Sequence, residues 1–375
     1  MNKVQIRVPG KLYIAGEYAV VEPGYSAIVT TVDLFLHLNI TRSTEKYGSI
    51  FSKNFTKKPL SWHRVNHQVQ LDHPNPDMKY ILAAIHTVEN YVQSLEIPLR
   101  YYHIELTSEL DSPTGKKFGL GSSGAVTVGL VRGLLRFYGL EAPDLLVYKL
   151  SVLAQLHLGV NSSFGDLAAI TYTGWIKYTS FDRTAVLSLL RKMTKKEVVE
   201  SDWPDLNIER LNIASDVQFL IGWTGSPASS DNLVGNVQKQ KQQSKKQYQY
   251  FLDESQGSVE LLSEALTTNN AQKIKKAIKR NRQALLQMGQ QTNVLIETPQ
   301  LTKLCDMAIE HGGVAKTSGA GGGDSGIAFV FEDKSALEII KNWKNIGITN
   351  LPLTVYDKEK KLMEDIDAQT NKSQK

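Results

Sequence analysis

The chain has 375 residues, 41% of them hydrophobic, with 43 Lys and Arg against 38 Asp and Glu for a formal net charge of +5. That length allows two domains with cores of their own, and the slight basic excess suits a polyanionic small substrate while falling short of what nucleic-acid binding requires. No apolar run reaches the roughly 20 residues of a membrane span or forms a signal-peptide core at the N-terminus, and the lone Cys305 excludes an internal disulfide. A protein of the reducing cytoplasm, without membrane or nucleic-acid partners, is therefore expected.

In chain order, the alternation of Val4-Gln5-Ile6-Arg7-Val8 predicts a strand, and the β-branched and aromatic residues from Tyr25 to Ile40 predict more of the same. Pro76-Asp77 opens a helical period to about Leu95, and Tyr102–Leu106 alternates as a strand. Helices follow over about Ser123–Tyr138 and Asp144–Leu158, and Ala169–Tyr178 returns to strand character. A hinge is expected within Lys192–Asn212, a charged stretch containing Trp203-Pro204-Asp205. Beyond it the pattern predicts a strand at Val217–Gly222, and then helices over about Asp231–Asp253, Gly257–Thr267, Ala271–Gln290 and Thr298–His311. A glycine-rich loop at 318–323 leads to a strand at Ile327–Phe331. Strand and helix mix without a regular βαβ repeat, which argues α+β. The expected division is 1–200 and 201–358, with a polar tail at 359–375 that has little to bury.

Two features invite other readings. The cationic run Lys273–Arg280 carries Ile274, Ala277 and Ile278 at helical spacing, so it reads as the solvated face of a core-packed helix. His63 and His67 are four apart, but no Glu lies between them and the surroundings read as loop, which argues against zinc.

The informative string is Lys116-Lys117-Phe118-Gly119-Leu120-Gly121-Ser122-Ser123-Gly124, placed at a helix start. Its glycines let backbone N–H groups approach an anion, the helix end adds unpaired donors and partial positive charge, and two hydroxyls and two lysines complete a phosphate cradle. A dinucleotide fingerprint would need the glycines directly after a strand, and about a dozen loop residues intervene. A protein-kinase loop would need His-Arg-Asp and Asp-Phe-Gly downstream, and a Walker loop would end in Gly-Lys-Ser/Thr; neither pattern occurs. A small-molecule kinase loop of another design remains.

Three motifs in order carry a resemblance. Pro9-Gly10-Lys11-Leu12-Tyr13-Ile14-Ala15-Gly16-Glu17, Gly119-Leu120-Gly121-Ser122-Ser123-Gly124 and Ser318-Gly319-Ala320-Gly321-Gly322-Gly323-Asp324 resemble the motifs of the GHMP kinases over nearly the whole chain. Gly165-Asp166-Leu167-Ala168 and the Lys116-Lys117 lead-in are most similar to the phosphomevalonate kinase branch. The mevalonate kinase pattern, the alternative within the family, has Gly-Glu-His where Tyr18 stands, prolines in place of Lys116 and Lys117, and Ser-Ser-Ala where Gly124 stands.

The resemblance implies a two-domain fold, with an N-terminal domain like ribosomal protein S5 domain 2, a ferredoxin-like C-terminal domain and an active site between them. It implies phosphorylation of phosphomevalonate by ATP with magnesium, in a monomer or homodimer. Lys11, Lys117 and Asp166 take the catalytic positions; Lys116, Gly119, Leu120, Gly121, Ser122, Ser123 and Gly124 bind ATP, with Ser123 also on the metal. Ser318, Gly319, Ala320 and Gly321 are expected to close over the phosphates, with Ser229 and Ser230 as candidate donors to the acceptor. Retained Lys11, Ser123 and Asp166 oppose a non-catalytic ligand sensor on the same fold.

Overall fold

The structure, a computed structural model, describes residues 2–54, 56–112, 115–214, 217–226, 233–237 and 245–362. The first sheet is built on one long antiparallel pair, β1 (Lys3–Ala15) with β2 (Ser26–Arg42), in which Val8 faces Leu36 and Leu12 faces Thr30. β3 (Gly48–Ser52), β4 (Leu60–Val65), β5 (Gln68–Leu71), β6 (Tyr102–Ser108), β7 (Trp175–Thr179) and β8 (Asn207–Arg210) complete eight strands in the order β5-β4-β3-β6-β2-β7-β8, with β1 pairing β2 off this path. The expected strand at Val4–Val8 thus runs on through Pro9 and Gly10 to Ala15. A register shift between those two residues absorbs the missing proline donor.

Four helices, α1 (Lys79–Gln93), α2 (Ser122–Phe137), α3 (Asp144–His157) and α4 (Gly165–Tyr172), pack with this sheet into one apolar core. α2 lies close on β1 and β2 because Gly129 and Gly133, one turn apart, present no side chain. A Cβ there would stand 2.8 Å from Val8 Cγ2 and 3.0 Å from Ile40 Cδ1. α5 (Arg183–Lys192) and α6 (Lys195–Glu200) follow, the latter started by a capping box between Thr194 and Glu197.

The second sheet joins β9 (Gln218–Trp223), β10 (Val314–Thr317), β11 (Ser325–Val330) and β12 (Thr349–Leu351), all antiparallel, in the order β10-β11-β9-β12. Counted from β9 this is 2-3-1-4, the ferredoxin-like arrangement. Between β9 and β10 run α7 (Lys245–Thr267), α8 (Ala271–Thr292) and α9 (Pro299–Glu310), and α10 (Asp333–Asn345) precedes β12. Leu304 fills the space over Gly222 and Gly326, and Cys305 beside it is fully buried, its thiol pushed up to about 12 by burial, so it is an inert core residue.

Several expectations change. No break occurs at Gly257; α7 is continuous, and the glycine makes room for the Arg280 guanidinium, which is paired with Glu254 at 2.7 and 2.9 Å and lies where a Cβ at 257 would be. The stretch read as a strand from Ala169 is the second half of α4, and the chain becomes extended only at Trp175. β8 lies past residue 200, where the first domain was expected to end, and it hydrogen-bonds to β7 as part of the first sheet. Residues 353–358 also return there: Asp33 N–H donates to Thr354 O at 3.0 Å and Gly174 N–H to Tyr356 O at 2.9 Å. Ile274, Ala277 and Ile278 are fully buried on α8, as their spacing predicts.

Candidate active site

β1 brings Lys11 against the glycine-serine loop. Lys11 N–H donates to Leu120 O at 2.9 Å and its Nζ to Gly119 O at 3.0 Å, so strand and loop form one unit. Gly121 precedes α2 with φ of 83°, a left-handed conformation open to glycine, and a Cβ there would lie 2.8 Å from Lys11 Cε. Ser122 and Ser123, in the first turn of α2, line the same cleft, and the amides of a helix's first turn are unpaired and carry partial positive charge.

Asp166 enters from α4, where it is the second residue. The turn before it is tightly specified. Phe164 is held at φ of 61°, its ring stacked 5.9 Å from Phe181 and under the Arg183 guanidinium, an unfavourable backbone state for a bulky residue that the packing imposes. Gly165 follows because a Cβ would meet Tyr13 Oη at 2.6 Å, and that phenol shares a 2.9 Å hydrogen bond with Ser163 Oγ. The Asp166 carboxylate then lies over Gly124, where a Cβ would stand 2.8 Å from Oδ2.

The third wall is the turn between β10 and β11. Lys316, fully buried, pairs with Glu17; Ser318 Oγ donates to Tyr13 O at 2.8 Å, and Tyr18 Oη to Ala320 O at 2.6 Å. Asp324 ends the turn with its side chain against Gly119, where a Cβ would be 2.8 Å from Oδ2. Burial pulls the Lys11 ammonium below its ordinary range, and Asp166, Asp324 and Glu17, in that order, pull it back up. Burial and the Asp166 charge hold the Tyr13 phenol well above its ordinary range, so it is a neutral hydrogen-bonding group.

These walls enclose a cleft of about 420 Å³, a size suited to a small ligand. Lys11, Lys117, Gly119, Gly121, Ser122, Ser123, Asp166, Gly319 and Ala320 all line it, drawn from β1, the glycine-serine loop, α2, α4 and the turn between β10 and β11. Lys116 does not; its Nζ reaches Gly225 O at 3.2 Å, bracing the lysine strip against the second sheet. Leu120 is in the core, Gly124 lies beneath Asp166, Gly321 packs on Ile296 O, and the Ser318 hydroxyl is engaged on β1. Ser229 and Ser230 lie outside the described residues.

Sequence reasoning missed Tyr13, Tyr80, Asn161, Ser162 and Asp324 as lining residues. The run Asn161-Ser162-Ser163 and the aspartate closing the third motif were the available signals. Among the described residues no three His, Cys, Asp or Glu gather as metal ligands, and His63 instead hydrogen-bonds Asp72 at 2.8 Å.

Residues 79–174 match the family model for the GHMP kinases N terminal domain, and residues 262–349 match that for GHMP kinases C terminal. The phosphomevalonate kinase of Streptomyces sp. (strain CL190) is 34% identical over 359 residues, covering 92% of this chain and 95% of the relative. The crystal structure of a Lin0012 protein from Listeria innocua superimposes with a TM-score of 0.90 at 34% identity, over 95% of this chain and 98% of that one. Streptococcus pneumoniae phosphomevalonate kinase in complex with phosphomevalonate and AMPPNP gives a TM-score of 0.83 at 31% identity, over 94% of this chain and all of that one. With the three motifs assembled around one cleft between an S5-like and a ferredoxin-like sheet, the chain belongs to the GHMP kinases and is a phosphotransferase homologous to phosphomevalonate kinase.

Proposed function

We propose that the chain moves the γ-phosphoryl group of ATP to the phosphate of (R)-5-phosphomevalonate, giving ADP and 5-diphosphomevalonate. The observation that carries this reading is the meeting of Lys11, Asp166 and the first turn of α2 around one cleft, with Gly121 and Gly124 leaving room for their side chains.

A phosphate monoester has a second pKa near 6, so at neutral pH the attacking oxygen is mostly deprotonated and needs little help from a base. The harder task is bringing two polyanions together: one pair of like unit charges about 4 Å apart repels by about 4 kcal/mol at an effective dielectric of 20. Lys11 and Lys117 neutralise that repulsion, and the amides of 119–124 hold the nucleotide phosphates. Asp166 orients Lys11 by ion pairing, keeps it charged against the effect of burial, and accepts any proton the acceptor still carries.

Magnesium fits this donor set as a nucleotide-borne ion. The cleft offers the Ser123 hydroxyl and a nearby carboxylate rather than a protein cage, which suits a cation that keeps phosphate and water ligands. When bound it neutralises phosphate charge, and Ser123 would hold it.

The test is ADP release measured with phosphomevalonate and with mevalonate as acceptors. Turnover confined to the phosphorylated acceptor is expected; equal or preferred turnover of mevalonate overturns the assignment.

A further inference from the structure

A second cavity, of about 570 Å³, lies along α2 and α4 away from the phosphate loop, bounded also by β1, β2 and the returning segment at 356–358. Its lining holds Arg7, His37, Arg132, Arg136 and Lys358 and, among the described residues, no Asp or Glu. At one end Arg132 and Lys358 converge on the same two acceptors. Arg132 Nη2 donates to Asp144 Oδ1 at 2.9 Å and to Thr171 O at 2.9 Å; Lys358 Nζ donates to Asp144 Oδ2 at 2.6 Å and to Thr171 O at 3.2 Å. One carboxylate therefore serves two cations.

The other charges are less compensated. Arg136 is exposed one turn beyond Arg132, a spacing at which like charges on a helix repel, and no carboxylate lies within ion-pair distance of it among the described residues. The Arg7 guanidinium rests 4.0 Å from the centre of the Phe35 ring, and Glu109, 3.0 Å from His37, is the one acid that His37 and Arg7 share. Burial, with Arg132 and Arg210 nearby, pulls the Lys358 ammonium below its ordinary range despite Asp144, while Arg210 itself is paired with Asp357 and Glu359. The Thr171 hydroxyl in the same wall is buried without a hydrogen-bond partner, a rare state for a polar group.

We propose that this cavity is a second anion site, separate from the phosphate loop, which takes a small molecule bearing a diphosphate or longer phosphate chain. The cations come from four segments spread around a volume much larger than one phosphate, so a single phosphate cannot contact them all while a diphosphate spans more of them. Arg132 and Arg136 belong to the helix whose first turn carries Ser122 and Ser123, about 14 and about 20 Å from Ser123 at 1.5 Å per residue, so both anion sites share one rigid element.

The experiment titrates inorganic pyrophosphate, and in a parallel arm an alkyl diphosphate ester, into the full chain by calorimetry with the active cleft saturated by AMPPNP. Binding is expected in the parent protein and weakened at least about tenfold in an Arg7→Glu/Arg136→Glu double variant. Both residues are exposed and outside the active cleft, so melting temperature and basal turnover should stay at parent values and report an intact fold. The tighter arm identifies free or esterified diphosphate as the source. Absence of binding below millimolar concentration in the parent, or equal binding in the variant, which would place the anion at the acceptor end of the active cleft, overturns the proposal.

Discussion

Glu17 and Lys316, 299 residues apart in sequence, form a buried ion pair that ties the end of β1 to the strand leading into the C-terminal glycine turn. Lys316 also donates to Thr317 O at 2.6 Å, whereas Glu17 Oε2 is buried without a partner. Breaking such a pair from one side leaves a buried uncompensated charge, which costs about 3–5 kcal/mol. Lys316→Met is therefore expected to lower unfolding free energy by that order in denaturant titration. Adding Glu17→Gln should recover most of it; a single variant as stable as the parent would show that the pair contributes nothing.

Asp166→Asn keeps shape and hydrogen-bonding capacity but removes the charge beside Lys11. Turnover is expected to fall by about 10²-fold or more, with the melting temperature near that of the parent. Activity within a few-fold of the parent would remove Asp166 from the mechanism.

Gly124→Ala separates folding from chemistry. The added methyl would sit 2.8 Å from the end of the Asp166 side chain and 3.1 Å from Ile170 Cδ1, so the flexible carboxylate is the atom that yields. Replacing a helical glycine also favours α2 by up to about 1 kcal/mol. Stability should hold or rise while kcat drops about tenfold through displacement of Asp166. Unchanged kcat would show that the carboxylate tolerates a shift.

Lys11 gives activity and stability opposite slopes with pH. Its folded-state pKa is lowered, so the cost of burying its charge is present below that value and is relieved as pH rises toward the ordinary lysine value, where the unfolded chain also deprotonates. Catalysis needs the charged form. kcat/KM should thus fall on the alkaline side at a lower pH than an ordinary lysine would give, and Lys11→Arg, always protonated, should lose that limb. An alkaline limb unchanged in Lys11→Arg would assign it to another group.

The three motifs were legible because phosphate binding demands glycines, hydroxyls and lysines in short contiguous strings, and the structure places Lys11, Ser123 and Asp166 at one cleft. Tyr13 and Tyr80 were not, since each sits within an ordinary apolar pattern and acquires its role only through residues far along the chain, as Tyr13 does through Ser163. Gly257 misled for the opposite reason: a local helix-breaking residue stands within a continuous helix and makes room for Arg280 from the next one. The Ser318 hydroxyl looked like a phosphate ligand and is committed to a backbone carbonyl of β1, a bond visible only in three dimensions.

The strip at 353–358 has a consequence for biosynthesis. Its pairing with Asp33, Thr31 and Gly174, and the reach of Lys358 to Asp144, supply the first sheet with partners that leave the ribosome after every strand of the ferredoxin-like half. The amino-terminal half consequently waits, incompletely closed, until residues 353–358 have been made, and a nascent chain stalled before residue 353 exposes that seam to chaperones and proteases.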